Sequence, residues 1–145
     1  MTYYAGFNLG KATLGFALLE KTDAEGWKIA RLESVPHNGD PLRHFREFYD
    51  RYFVKDCAAL AVTGLYADEL INPAVVLSED ACQEAACEHL AEFSGPLNLV
   101  SVGARGYGVL SRSAAPPTNG TQRYHYNYLE NDKCSSGTGE NMVKI

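Results

Sequence analysis

Cys134 is the residue whose setting in this sequence best suits chemistry. It lies in the segment NDKCSSGTGE, residues 131–140, directly before a run of small residues. A thiolate is stabilised near a helix N-terminus, because free N–H groups and the helix dipole favour negative charge. Taken alone, these residues also fit a free surface cysteine in a Ser/Gly loop, which is the simpler interpretation.

The three other cysteines have settings typical of structural residues. Cys57 borders the apolar run CAALAV, which suits a small buried side chain. Cys82 and Cys87 are five positions apart on one predicted helix, so their side chains point in different directions. Because the sequence has no C-x-x-C pair and its start does not resemble a secretory leader, we expect reduced thiols and a cytoplasmic location.

Composition narrows the class of protein. The chain has 145 residues, 46% hydrophobic and 21% charged, which predicts a modest globular domain with its own core. The net charge is −5 and Lys and Arg are scattered, so we expect no nucleic-acid partner. No apolar stretch approaches the roughly 18 residues of a membrane span, so no membrane partner is expected.

Four strands are predicted in the first part of the chain. Residues 2–9 and 13–20 flank the short connection GKA, which is typical of a hairpin. Residues 27–35 alternate apolar and polar side chains, as a half-exposed strand does. Residues 57–64 form a continuous apolar run, which favours a strand buried on both faces.

Two helices are predicted among these strands. Asp40 suits the N-cap of the first and Pro41 its first position. Ser78 suits the N-cap of the second, at residues 79–93. The order β-β-β-α-β-α predicts an α/β fold, a ribonuclease-H-like mixed sheet of antiparallel hairpins and a parallel strand, flanked by helices.

The later part of the chain repeats this pattern. Strands are predicted at residues 96–104, 107–112 and 123–131, and a polar loop at 115–122. Residues 137–140 would then open a helix. We predict a first subdomain at residues 1–95 and the beginning of a second, similar one at 96–145, and we interpret the chain as a fragment of a longer protein.

The segment around Cys134 closely resembles a segment of a known family. NDKCSSGTGE is similar to N-D-K-C-A-A-G-T-G of the ATP-dependent activators of 2-hydroxyacyl-CoA dehydratases and benzoyl-CoA reductases, which belong with sugar kinases, heat-shock ATPases and actin. The resemblance implies that Cys134 ligates a [4Fe–4S] cluster shared with a homodimer partner. It also implies Mg-ATP as a ligand and a CoA-ester dehydratase or reductase component as partner.

Other segments match the family in order along the chain. They are YYAGFNLGKATLGFALL at the first phosphate loop, AVTGLYADEL at a glycine turn, LSEDACQEAA on a helix and LVSVGARGYGVL at the second phosphate loop. The resemblance thus implies nucleotide-binding positions at Asn8, Gly10 and Lys11 and at Gly103 and Arg105. No residue is assigned a catalytic role.

Both phosphate loops depart from the family pattern. In the first, Asn8 replaces an aspartate, which weakens the hold on Mg²⁺, and Lys11 and Ala12 replace small hydroxyl residues. In the second, both carboxylates are missing and Arg105 is added. Because phosphoryl transfer depends on a well-placed metal, we do not expect ATP hydrolysis, although Lys11 and Arg105 could bind an anion. The simpler alternative for the first loop is a hairpin with Gly10 at its turn.

The remaining candidates suit structural roles. The four histidines, His37, His44, His89 and His125, lack metal-ligand spacing and favour surface or core positions. Tyrosines alternate along residues 123–131, which suits packing or a subunit interface.

Two functional hypotheses follow, with a third behind them. The first is a piece of an activator-like protein that couples ATP binding to electron transfer for CoA-ester dehydratases or reductases. The second is a non-catalytic dimerisation or docking module of the same fold, which binds neither nucleotide nor cluster. The third is a small-anion binder that uses Lys11 and Arg105.

Overall fold

The computed structural model describes residues 1–22, 26–70, 75–89, 95–104, 106–119 and 121–131. The chain forms two compact units, Met1–Ser78 and Glu79–Ile145. Within the described residues no helix has the length and apolar character needed to cross a membrane.

The first unit is built on a five-stranded mixed sheet. Its strands are β1 (Thr2–Leu9), β2 (Thr13–Thr22), β3 (Gly26–Pro36), β4 (Ala59–Thr63) and β5 (Val75–Val76), in the order β3-β2-β1-β4-β5. β1, β2 and β3 are antiparallel neighbours, whereas β4 runs parallel to β1 and β5 parallel to β4. This confirms the predicted α/β fold with a mixed, ribonuclease-H-like sheet.

Helix α1 (Pro41–Arg51) covers one face of this sheet. Asp40 caps it as predicted, because its Oδ1 accepts a hydrogen bond from the Arg43 N–H at 3.1 Å. Aromatic side chains at helical spacing then meet the apolar face of the hairpin, and the Phe48 and Phe16 ring centroids are 5.8 Å apart. β4 is less buried than predicted: of its five residues only Val62 is fully buried.

A hydrogen-bonded link joins β3 to the end of α1. The Glu33 carboxylate accepts hydrogen bonds from the Tyr52 hydroxyl and from Arg31 Nε, the latter at 2.7 Å. The Tyr52 ring also stacks on Phe16 with centroids 4.8 Å apart. The Tyr52 hydrogen bond, followed by that of Arg31, lowers the pKa of Glu33 below its usual range, because both stabilise the carboxylate.

The Tyr52→Phe variant should make stability less dependent on pH. A carboxyl group whose pKa is lower in the folded state stabilises the fold above its unfolded pKa, and this contribution disappears as the pH falls through the folded pKa. The ring stacking survives in phenylalanine, so only the interactions of the hydroxyl group with Glu33 and Arg31 are lost. We expect the melting temperature of Tyr52→Phe to lie below that of the wild type at pH 7 and to approach it below about pH 4. An equal gap at both pH values would contradict this assignment.

The second unit contains helix α2 and a three-stranded antiparallel sheet. The elements are α2 (Glu79–His89), β6 (Leu97–Val102), β7 (Tyr107–Thr118) and β8 (Thr121–Asn131), with β7 in the centre. The predicted strands are confirmed, but the predicted polar loop at 115–122 is wrong. β7 continues to Thr118 and β8 begins at Thr121, and the register shifts between Ala115 and Thr118. The two prolines of β7 lie at this irregularity, where proline's missing N–H is tolerated.

Helix α2 packs within the second unit through the buried side chain of Arg112. Its Nε donates to the Gly95 carbonyl at 2.8 Å and its Nη1 to the Cys87 carbonyl, in the last turn of α2, at 2.6 Å. The guanidinium carbon lies 4.5 Å from the Tyr124 ring centroid. Tyr126 adds a hydrogen bond from its hydroxyl to Glu88 Oε1 at 2.5 Å. Tyrosines of β8 therefore face α2 and serve packing, one of the two roles predicted.

The observed units divide the chain between Ser78 and Glu79, whereas the sequence suggested a division after residue 95. The difference is helix α2, which contacts β7. Its predicted residues 90–93, and the helix predicted to open at 137–140, lie outside the described residues.

Candidate functional site

Two chain turns meet at one end of the first sheet, beyond the carboxyl ends of β1 and β4. β1 and β4 are parallel neighbours, and their last paired residues are Asn8 and Thr63. The hairpin turn from β1 to β2 and the turn at Gly64 therefore lie side by side. Ligands of open α/β sheets bind beyond the carboxyl ends of such parallel strands. The region beyond the carboxyl ends of β1 and β4 is the candidate functional site.

Gly64 allows the two turns to pack in contact. Its φ is +95°, and a Cβ at this position would lie 2.5 Å from Asn8 Oδ1 and 2.6 Å from the Leu9 carbonyl oxygen. The Tyr66 N–H donates to the same Leu9 carbonyl at 3.1 Å. Any side chain on Gly64 would displace the Asn8 amide and the backbone beside it, so glycine is required here.

The hairpin turn presents Lys11 to solvent. The Gly10 N–H donates to the Thr13 carbonyl at 3.1 Å, which closes the turn. Lys11, Ala12 and Thr13 are exposed, and so is Asn8. The site thus offers an ammonium group and a neutral carboxamide. Both can bind anionic oxygens, but neither supplies the charged oxygen ligands that Mg²⁺ prefers.

His37 holds the hairpin turn in place, and the sequence analysis did not identify this role. Its side chain is 1% exposed, Nε2 lies 2.9 Å from the Gly10 carbonyl oxygen, and Nδ1 accepts from the Gly39 N–H at 3.1 Å. Because Nδ1 accepts, Nε2 carries the proton and donates to Gly10. The His37 N–H also donates to the Ala12 carbonyl at 3.1 Å. The only sequence signal was its place in the turn HNGD, directly after a strand.

We expect His37→Ala to destabilise the first unit by about 2–3 kcal/mol, because it removes two hydrogen bonds to the backbone of the turn and replaces a buried ring with a cavity. His125→Ala, an exposed histidine on β8, is the matched control and should change stability by less than about 0.5 kcal/mol. Urea unfolding of both variants measures the difference. Equal free energies of unfolding for the two variants would show that His37 does not stabilise the turn.

The second predicted loop lies in the other unit, between β6 and β7. The Gly103 N–H donates to the Gly106 carbonyl at 2.8 Å, which closes this turn. Arg105 and Cys134 lie outside the described residues. Within the part of the chain that the structure describes, no group of three or more His, Cys, Asp or Glu side chains could hold a metal ion. Of the predicted site residues, the structure brings together Asn8, Gly10 and Lys11.

The other cysteines occupy structural positions. Cys87 is buried on α2 and Cys82 is half-buried on the same helix. Cys57 is half-buried beside the core of the first unit, and burial followed by the nearby Asp56 carboxylate raises the pKa of its thiol. A raised pKa disfavours the thiolate in the absence of a metal.

No protein-family model and no curated protein matches the sequence. Solved structures do match the fold. The activator of 2-hydroxyisocaproyl-CoA dehydratase from Clostridium difficile, solved with bound ADPNP, matches with 20% identity and a TM-score of 0.67, over 99% of this chain and 53% of that chain.

Two further structures match at lower identity. They are an exopolyphosphatase from Cytophaga hutchinsonii (10% identity, TM-score 0.59, 99% of this chain and 53% of that one) and the PPX-GPPA enzyme of Aquifex aeolicus (10%, 0.54, 91% and 52%). The chain spans about half the length of these proteins. The resemblance to the activator family is confirmed at the level of the fold: this chain folds like about half of a dehydratase activator.

Proposed function

We propose that the candidate site formed by Asn8, Lys11 and Gly64 binds the phosphates of a nucleotide. The observation that carries this proposal is the close packing of two turns at the carboxyl ends of β1 and β4, around a glycine that leaves no room for a Cβ. The ADPNP bound to the C. difficile activator, which has a similar fold, supports the choice of a nucleotide.

The polar side chains at this site favour phosphate binding over hydrolysis. Lys11 supplies one positive charge, and the Asn8 side chain supplies a carboxamide in place of a carboxylate. A carboxamide holds Mg²⁺ and its water shell less firmly than a carboxylate does. We therefore propose that nucleotide binds with little dependence on magnesium and that turnover is slow or absent.

Within a larger protein, this unit would serve an activator-like ATPase. In such a protein, ATP binding is coupled to electron transfer toward a CoA-ester dehydratase or reductase, and the working unit would be a homodimer. Cys134 would be the ligand that this chain contributes to a [4Fe–4S] cluster. Such a cluster needs four cysteine ligands, so further thiolates must come from a partner subunit or from other segments.

Calorimetry with ADPNP tests the nucleotide proposal. Replacing Lys11 by alanine should weaken ADPNP binding by about tenfold, since one charge-assisted contact contributes about 1.5 kcal/mol or more. Lys55→Ala removes another exposed lysine, in the short turn after α1, and should leave the affinity unchanged. Asn8→Asp should make the binding more dependent on magnesium, because it restores a carboxylate.

The alternative function is a docking or dimerisation module that binds neither nucleotide nor cluster. The missing carboxylate at Asn8 favours it. No heat of ADPNP binding with or without magnesium, at concentrations up to about 1 mM, would support this alternative. Anaerobic reconstitution with iron and sulfide tests the cluster separately: visible absorbance that is lost in Cys134→Ala supports a ligand role, and no retained iron removes it.

A further inference from the structure

Strand β3 forms one edge of the first sheet as the described residues define it. It is eleven residues long, and most of its side chains are exposed. Leu32 is 70% exposed, Ile29 46% and Trp27 44%. A long edge strand with exposed apolar residues presents unpaired backbone groups that can hydrogen bond to another strand. The nucleotide proposal does not use this edge strand.

A bulge in β3 decides which side chains share a face. Leu18 pairs with Arg31 and Leu19 with Ile29, so Ala30 is the extra residue. Lys28 and Glu33 pair with Glu20 and Phe16 and lie on the α1 face with Arg31. Ile29 and Leu32 pair with Leu19 and Ala17 and lie on the opposite face. The bulge thus sorts the charged residues to one face and the large apolar residues to the other.

We propose that β3 pairs antiparallel with β3 of a second copy of this chain, about a two-fold axis, and joins the two sheets edge to edge. In the proposed register Lys28 lies opposite the partner's Glu33, and Ile29 lies opposite the partner's Leu32. Residues opposite each other in an antiparallel pair must lie on the same face, and both pairs meet this condition because of the bulge. The two-fold axis makes each pair occur twice.

Charge complementarity selects this register over its neighbours. Shifting it by two residues in one direction places Lys28 opposite the partner's Arg31, which is repulsive. Shifting it by two in the other direction places Lys28 opposite the partner's Val35 and Ile29 opposite the partner's Ser34. Of these three registers, only the proposed one places opposite charges across from each other and apolar residues across from each other.

The Glu33 carboxylate is already oriented for such a contact. Its hydrogen bonds to Tyr52 and Arg31 hold it on the α1 face, and its side chain keeps 22% exposure. A single strand pair buries less area than a standard protein interface, so the dimer should be weak and reversible. The proposal is independent of nucleotide and cluster binding.

Sedimentation equilibrium on the reduced, iron-free chain carrying Cys134→Ser tests the proposal at about 10 to 500 μM protein. We expect concentration-dependent dimers. Lys28→Glu should weaken dimerisation by about tenfold or more, because two attractive pairs become repulsive. Lys55→Glu changes the net charge equally at an exposed residue in the short turn after α1, outside β3, and should leave dimerisation unchanged.

Mixing two variants gives a second test that does not depend on loss of binding. Lys28→Glu and Glu33→Lys should each dimerise more weakly than the wild type alone and should dimerise more strongly when mixed, because both cross-strand pairs are then again of opposite charge. If Glu33→Lys does not fold, Leu32→Asp replaces the mixing experiment as a second variant expected to weaken dimerisation. The chain remaining monomeric throughout, or Lys28→Glu and Lys55→Glu weakening dimers equally, would overturn the proposal.

Discussion

Replacing Gly64 by valine is expected to destabilise the protein by about 4 kcal/mol and to abolish nucleotide binding. The positive φ of Gly64 strains a β-branched residue by about 1–3 kcal/mol, and crowding adds a similar cost. The crowded atoms are the Asn8 Oδ1 and the Leu9 carbonyl, both at the proposed phosphate site. The same substitution should therefore lower both the stability and the affinity for ADPNP.

Gly26→Ala is the matched control for this prediction. Gly26 also has a positive φ, +74°, but nothing lies within 4 Å of a Cβ built there. Its replacement should cost about 1 kcal/mol, from backbone strain alone, and should leave ADPNP binding intact. Urea unfolding and calorimetry measure the two effects. If Gly64→Val and Gly26→Ala had the same stability and the same affinity for ADPNP, the close approach of the two turns would contribute to neither.

Replacing Arg112 by methionine is expected to destabilise the second unit by about 3 kcal/mol, since one buried and one partly buried carbonyl lose charge-assisted hydrogen bonds. Those carbonyls belong to Cys87, at the end of α2, and to Gly95. Lysine should not restore the loss, because one ammonium group cannot reproduce the two diverging bonds of a guanidinium.

Arg123→Met is the control, because Arg123 is exposed on β8. It should change stability by less than about 0.5 kcal/mol. Hydrogen exchange of the α2 amides gives a local measurement: Arg112→Met should accelerate it and Arg123→Met should not. Unchanged exchange in both variants would mean that Arg112 does not anchor the helix.

Local patterns in the sequence predicted most of the elements. The hairpin, the capped helix α1 and the strands β4, β6 and β8 follow from alternation, glycine turns and an Asp-Pro helix start, which act over a few residues. The fold class followed from their order, and the structural match to the activator confirms it.

The features that the sequence did not reveal depend on contacts between distant residues. The hydrogen bond from His37 to Gly10 joins residues 27 apart, and that from Arg112 to Cys87 joins residues 25 apart. No local pattern distinguishes such a buried histidine or arginine from a surface one. The association of α2 with the second unit, and the bulge at Ala30, were missed for the same reason.

The family resemblance implied nucleotide-binding roles for Asn8, Gly10 and Lys11, and these roles stay a prediction. The structure places the three residues at one turn. The sequence pattern also included Gly64 in the segment AVTGLYADEL, but its contact with Asn8 became visible only in the sheet. The pairing of β1 with β4, which are about fifty residues apart in the chain, creates that contact.

The amide signals of Gly10, Lys11 and Gly64 in an NMR titration with ADPNP give the most direct test of the nucleotide proposal. The account predicts that these signals shift with increasing ADPNP, while signals of β3 stay in place, and that Lys11→Ala reduces the shifts. Signals at the hairpin turn that remain unmoved at saturating ADPNP, or shifts confined to β3, would contradict it.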